Sequence, residues 1–383
     1  MFIKSNRVYI GDAFVPAVIE IQAGKIAGLY PFDGRRVEFN FGNKRILPGL
    51  IDIHTHGAYG FDTNSAEESG LRKWQRLLAK EGVTSFLPTT VTADRGTLIK
   101  ALNNVAKVKQ THEGGAAIVG IHLEGPYIDQ RYHGAQPLGA VVKPSIEEFQ
   151  AFQSAAEGLI KIITLAVEHD EDYALTRYCA SHHVVVSIGH SSATLQQAVF
   201  AIANGARSVT HTFNGMTPLN HRENGLVGAA LRYDCLYSEI IGDGNHVTPE
   251  ALNLFYRMKG KSKAILVSDS LMCKGYEPGS VFSFAGLEVK IFPDGSAHLV
   301  KEGNFAGSTL KMNEGLRNLV EKAGVPFDAA LNSCTANPAA LLKIDDVTGS
   351  LKVGYDADIV VLDEDYSVIE TFCKGIAQLV KHD

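Results

Sequence analysis

The side chains in this chain that can hold a cation or move a proton recur at one kind of place, directly after a short apolar run. The first instance is IDIHTHG, residues 51–57, where His54 and His56 flank a single residue. A strand turns alternate side chains to opposite faces, so histidines two apart share a face and can share one metal ion. Apolar runs also precede Glu124 in HLEGP, His190 in SIGHSSAT, His211 in THTFNGM, His246 in IGDGNHV and Asp269 in VSDS. Each has a plainer use: Glu124 as a turn cap, Asp269 as the N-cap of SLMCKG, a histidine as a hydrogen-bonded core side chain. Together they form a set of imidazoles and carboxylates suited to a divalent cation with an open position. Such a cation lowers the pKa of a bound water to about 7 and polarises a carbonyl. That is the chemistry of amide hydrolysis, in which a carboxylate such as Asp269 carries the water's proton to the departing amine.

Groups this far apart in sequence can meet only if the intervening elements converge. From Pro48 onward, apolar β-branched runs alternate with segments of helical periodicity. The runs at 50–53, 83–88, 117–123, 160–167, 184–189, 207–212, 236–241 and 263–268 read as eight strands. Helices are expected at 67–80, 97–109, 145–156, 171–182, 194–203 and 248–258. Eight such strands, with no G-x-G-x-x-G turn after the first, predict an α/β chain folded as a (β/α)8 TIM-type barrel. The selected residues follow strands one, three, five, six, seven and eight, whose C-terminal ends meet at one mouth. A hairpin at 280–300, turning at Pro293-Asp294-Gly295, decorates the barrel after its last strand.

The ends read differently. Residues 1–47 carry short alternating strands at 8–10, 18–21 and 25–29, and residues 344–383 alternate likewise around two turn signals. Neither end has enough strands to bury a core alone. The expectation is one small β-sandwich domain built from 1–47 and 344–383, with the barrel at 48–343.

With 383 residues, 45% hydrophobic and 20% charged, the chain has ample material for a core and no compositional case for disorder. A net charge of −6 and the absence of basic runs argue against a nucleic-acid partner. No apolar stretch reaches the roughly 20 residues that span a bilayer, and the start MFIKS lacks a signal-peptide core, so a cytoplasmic enzyme without a membrane partner is expected. Cys179, Cys235, Cys273, Cys334 and Cys373 are odd in number and never form C-x-x-C, which suggests neither a disulfide framework nor a thiolate site.

Over essentially its whole length the sequence resembles the amidohydrolase superfamily, and within it the N-acetylglucosamine-6-phosphate deacetylase family. The superfamily marks are the strand-one His54-x-His56, His190, His211, Asp269 and the C-terminal KVGYDADIVVLD. The narrower marks are HLEGPY, GHSSAT, THTFNGM, the Asp-Gly-x-His at 243–246, VSDS and FAGSTLKMNEGLRNLV at 305–320. The resemblance implies deacetylation of N-acetylglucosamine 6-phosphate in amino-sugar metabolism. It also implies one or two divalent metals per subunit, drawn from Zn, Fe, Mn or Co. Glu124, His190 and His211 would hold the metal that activates water, His54 and His56 a second one, with Glu124 and Asp269 between them. Ala135, Gln136, Asn214, Gly215, Arg222, His246, Phe305, Ala306 and Gly307 match positions that contact the sugar phosphate. Gln136 stands where relatives carry a histidine, and a glutamine amide can donate but carries no proton charge. Arg222 would reach into a neighbouring subunit, which implies a homodimer. Its plainer reading is a solvated loop charge; those of Asn214 and Gly215 are a turn residue and a flexible corner. The rival readings are another metal-dependent amidohydrolase, either a cyclic amidase or a deaminase, and a non-catalytic barrel scaffold.

Overall fold

The computed structural model describes residues 1–379, so the last four residues of the expected β unit lie outside the described residues. Eight barrel strands run in chain order: β1 (Leu50–Thr55), β2 (Val83–Pro88), β3 (Ile121–Glu124), β4 (Ile160–Leu165), β5 (Val185–Ile188), β6 (Ser208–Val209), β7 (Tyr237–Ile241) and β8 (Ala264–Val267). β1 pairs with β2, and β3 through β8 pair successively, all parallel. A parallel bridge between Thr89 and His122 joins β2 to β3. The ring closes where the Asp269 N–H donates to the His54 carbonyl at 2.9 Å and the Ser268 hydroxyl to Asp52 at 2.6 Å.

Ile51, Ile53, Leu87, Ile162, Ile241, Ile265 and Val267 come from five different strands yet form one buried cluster, which fills the barrel interior. Above it lies a polar layer in which His122, Thr164, Thr210 and Ser187 are linked by hydrogen bonds of 2.7–2.9 Å. Several outer helices start on the caps their sequences provide. Asp94 accepts from the Thr97 N–H, Ser145 from that of Glu148, and Thr194 forms a reciprocal capping box with Gln197.

Some elements differ from their sequence expectations. The third run splits at Val119–Gly120, its first half pairing with β2 and its second with β4. The sixth strand is only two residues long, because the chain leaves the ladder at His211, whose φ is +26°. The helix expected at 171–182 begins at Ala174, after Asp172 and Tyr173 adopt positive φ. Helices at Gly225–Arg232, Met312–Arg317, Phe327–Ser333 and Ala336–Leu342 were not anticipated; short, Gly-, Pro- and Ala-rich segments carry little periodicity.

Strands from both chain ends join one eight-stranded sheet, in which Arg45–Pro48 runs antiparallel to Ile359–Leu362. Its edge strand Lys25–Pro31 folds back onto the segment leading into Ile359–Leu362, where the Ala357 N–H donates to the Gly24 carbonyl, and the sheet covers a core that includes Ile3, Ile19, Ile26, Ile46, Ile359 and Phe372. The 280–300 segment forms three antiparallel strands, Val281–Phe284, Leu287–Ile291 and Ala297–Leu299.

The loop leaving β8 is anchored from below. Lys274 Nζ lies 2.9 Å from Glu81 Oε2, both side chains being fully buried, and the Tyr59 hydroxyl donates to the other Glu81 oxygen. Removing one partner of a buried pair strands the other charge. Lys274→Met is therefore expected to destabilise the protein by roughly 3–5 kcal/mol, measured by denaturant unfolding. A loss under 1 kcal/mol would show that water reaches Glu81 freely.

Candidate active site

Six of the residues singled out by type and spacing arrive together at the C-terminal end of the barrel. His54 and His56 lie at the end of β1, Glu124 ends β3, and His190, His211 and Asp269 lie just beyond β5, β6 and β8. None is more than 8% exposed. His190, His211 and Asp269 have φ of +45°, +26° and +47°, rare for non-glycine residues, and these sharp turns at strand ends aim the side chains into the mouth.

The geometry centres on Glu124. Its Oε1 lies 3.4, 3.5 and 3.3 Å from the Nε2 atoms of His54, His190 and His211, and its Oε2 3.2 Å from His56 Nε2. Asp269 Oδ1 stands 3.2 Å from His56 Nε2 and 3.5 Å from His54 Nε2. The Nε2 atoms themselves face one another at 3.3 Å (His54 and His56) and 3.2 Å (His190 and His211). Two imidazole lone pairs that close repel unless a proton or cation lies among them, and Glu124 Oε1 is buried with no hydrogen-bond partner.

The other ring nitrogen is occupied in three of the four histidines, while His56 Nδ1 has no hydrogen-bond partner. His54 Nδ1 lies 2.9 Å from Glu239, His190 Nδ1 2.7 Å from the Tyr132 carbonyl and His211 Nδ1 3.0 Å from the Asn214 carbonyl. A carbonyl there requires Nδ1 to carry the proton, which leaves Nε2 free to ligate. The donors fall into two groups suited to a divalent cation, Glu124 with His190 and His211, and His54 with His56 and Asp269, each with ligand atoms within 4.8 Å of one another. Burial alone would raise the Glu124 carboxyl's pKa, but the imidazoles of His54 and His190 outweigh it and hold it well below the usual range. Burial opposes ionisation of Asp269 too, yet His54 and His56 bring it down to about 2.

A cavity of about 360 Å³ opens above these groups. His56, Glu124, His190, His211 and Asp269 form its polar floor, and Ala135, Gln136, Asn214, Gly215, His246, Phe305 and Gly307 line it. Gly215 and Gly307 have φ of +60° and +47°, and a Cβ at Gly307 would lie 2.7 Å from the Asp269 carbonyl. Gln136 is fixed at both ends: its amide donates to Glu124 Oε2 at 2.5 Å, and its oxygen accepts from the Thr92 N–H at 2.7 Å. His246 bonds Asp243 at 2.6 Å and packs on Phe305, whose other neighbour is His298. Burial disfavours the charged form of His246, but Asp243 outweighs it and raises its pKa.

Two residues chosen from the sequence lie elsewhere. Ala306 is fully buried in the cluster of Leu271, Val289 and Leu299 beside the cavity. Arg222 is exposed on the loop between His211 and the helix Gly225–Arg232, outside the cavity lining, and among the described residues its side chain has no hydrogen bond or ion pair. Sequence reasoning missed Glu239 and His122, both fully buried against His54. The signal for Glu239 was a carboxylate interrupting the apolar run YSEII, the same kind that pointed to Glu124.

Comparison with known proteins places this arrangement in a family. The N-acetylglucosamine-6-phosphate deacetylase of Bacillus subtilis is 41% identical over 333 residues, covering 86% of this chain and 83% of its own. The N-acetylgalactosamine-6-phosphate deacetylase of Escherichia coli O157:H7 is 34% identical, covering 93% of each. An Asp-to-Ala mutant of N-acetyl-D-glucosamine-6-phosphate deacetylase from Mycobacterium smegmatis, solved in complex with N-acetyl-D-glucosamine-6-phosphate, superimposes with a TM-score of 0.94 at 27% identity, over 99% of both chains. The Amidohydrolase family model matches residues 45–377, and with the barrel and its buried His, Glu and Asp cluster this establishes that the chain belongs to the amidohydrolase family.

Proposed function

We propose that this protein hydrolyses N-acetylglucosamine 6-phosphate to glucosamine 6-phosphate and acetate. The observation that carries the reading is the convergence of four imidazole Nε2 atoms on Glu124 beside Asp269, at the base of a cavity of sugar size. Relatives at 33–41% identity over most of the chain act, by name, on N-acetylglucosamine 6-phosphate. A second reading, the galactosamine epimer as substrate, has the E. coli relative in its favour.

Glu124, His190 and His211 would hold one divalent cation, and His54, His56 and Asp269 up to one more. Imidazole and carboxylate suit Zn, Fe, Mn or Co, with availability selecting among them. Such a cation supplies Lewis acidity, polarising the acetamide carbonyl and making water a nucleophile near neutral pH. Asp269 takes the proton of the attacking water and delivers it to the sugar nitrogen as the C–N bond breaks, which turns a poor amide leaving group into a good amine. It enters as the base because the positive charge gathered around it favours its carboxylate form against the pull of burial. Gln136, locked between Glu124 and the Thr92 N–H, holds the carboxylate's orientation rather than a proton. His246 and Phe305 line the sugar's side of the cavity.

Catalysis is assigned to the barrel at 48–343, with the joined ends as its structural partner. No helix among the described residues is long and apolar enough to cross a membrane, which fits a cytoplasmic enzyme acting on a charged sugar phosphate. Arg222, exposed and outside its own chain's cavity, suits a homodimer in which it binds the phosphate at the neighbouring subunit's site. A dianionic phosphate gives up strong hydration on binding, and an arginine fork replaces it best.

Two measurements check these roles. Asp269→Asn should keep fold and bound metal while kcat falls on the order of 10²–10⁴-fold; activity within threefold of wild type removes it from proton transfer. Arg222→Ala should lower kcat/KM for N-acetylglucosamine 6-phosphate by about 10–100-fold and barely change that for N-acetylglucosamine. Equal losses on both sugars would assign Arg222 to the fold.

A further inference from the structure

Glu239 sits in β7, on the far side of His54 from the mouth, and its side chain is fully buried. Its Oε2 lies 2.9 Å from His54 Nδ1 and accepts from the His211 backbone N–H at 3.3 Å, while its backbone carbonyl accepts from the Thr212 N–H at 2.8 Å. The same carboxylate thus touches a histidine of each cation group and braces the turn at His211, where φ is +26°. Its second oxygen, Oε1, has no hydrogen-bond partner. Among the described residues no Lys or Arg pairs with it; the His54 imidazole is its one ion-pair neighbour.

A carboxylate removed from water without a cation is strongly disfavoured. Here the positive charge that offsets it must come through His54. The four mouth histidines also differ in what stands behind them. His190 and His211 donate from Nδ1 to neutral carbonyls, His56 Nδ1 has no partner, and His54 alone is backed by an anion. A carboxylate behind an imidazole fixes the Nδ1–H tautomer and makes Nε2 a stronger donor, so that one ring of the four is tuned for tight ligation. The ring cannot escape this orientation, because His122 packs against it with centroids 4.6 Å apart. His122 is itself pinned between the Ile53 carbonyl and the Thr164 hydroxyl.

We infer that Glu239 is a positioning residue that sets the occupancy of the His54–His56–Asp269 cation subsite by orienting His54 and fixing its Nδ1–H tautomer, and that it leaves the Glu124–His190–His211 subsite largely to its own ligands. This rests on the two-cation reading above.

The test is Glu239→Gln, which keeps shape and removes the charge. Elemental analysis of metal-reconstituted wild type should give two ions per chain, and chelator titration should give an affinity for each. The variant should keep one ion at wild-type affinity and bind the other about 10–100-fold more weakly, with kcat lowered and KM for the sugar phosphate little changed. Should that variant fail to fold, Glu239→Asp, which retains the charge on a shorter arm, should show an intermediate weakening of the same ion. Two ions at wild-type affinity in the variant would overturn the inference. Equal weakening of both would overturn it too, since Glu239 would then be holding the barrel mouth as a whole. Wild type that binds only one ion would overturn the two-cation reading, and the inference with it.

Discussion

A buried carboxylate facing four imidazole nitrogens cannot stand without positive charge among them. Glu124 is 1% exposed, its Oε1 has no hydrogen-bond partner, and three Nε2 atoms lie within 3.5 Å of that oxygen. A divalent cation would satisfy this arrangement with the Nε2 lone pairs directed at it. The rest of the barrel mouth follows from holding these groups still against their mutual repulsion. Backbone carbonyls of Tyr132 and Asn214 orient two rings, Glu239 orients a third, and Gln136 locks the carboxylate itself.

Their placement comes from the barrel. Six candidate ligands spread over more than two hundred residues meet because parallel strands end at one rim, and three of them sit at positive φ immediately past those ends. Unfavourable backbone at His190, His211 and Asp269 is sustained by the surrounding ladder, including the Asp269 N–H bond to His54 that closes the ring. Below the rim, the Lys274–Glu81 pair fixes the loop that leaves Asp269. Stability and the site meet in that loop, since the same few residues close the barrel and present the Asp269 carboxylate to the cavity.

Much of this convergence was legible in the sequence because the His, Glu and Asp side chains stand where an apolar run stops. His54, His56, Glu124, His190, His211 and Asp269 each interrupt or follow such a run, and convergence at the rim follows once eight strands are counted. Less was legible where a residue acts from inside a strand or through a neighbour. Glu239 and His122 read as anomalies within apolar segments, and only their contacts with His54 reveal what they do. The helices between 312 and 342 were hidden by short lengths and small residues. Ala306 lies one position out of register with the cavity lining, a matter of side-chain direction that a strip of sequence does not carry. Arg222 is exposed and outside the lining of its own chain's cavity, so the role proposed for it depends on a surface rather than on the fold of one chain.

The most direct measurement of the central claim is acetate release from N-acetylglucosamine 6-phosphate by the purified protein, before chelation, after it, and after divalent metal is returned. The buried His, Glu and Asp cluster predicts release that disappears with the metal and recovers when it is restored, while the fold persists throughout. Undiminished release from the metal-free protein would contradict the account, as would a metal-replete protein that releases no acetate from this sugar.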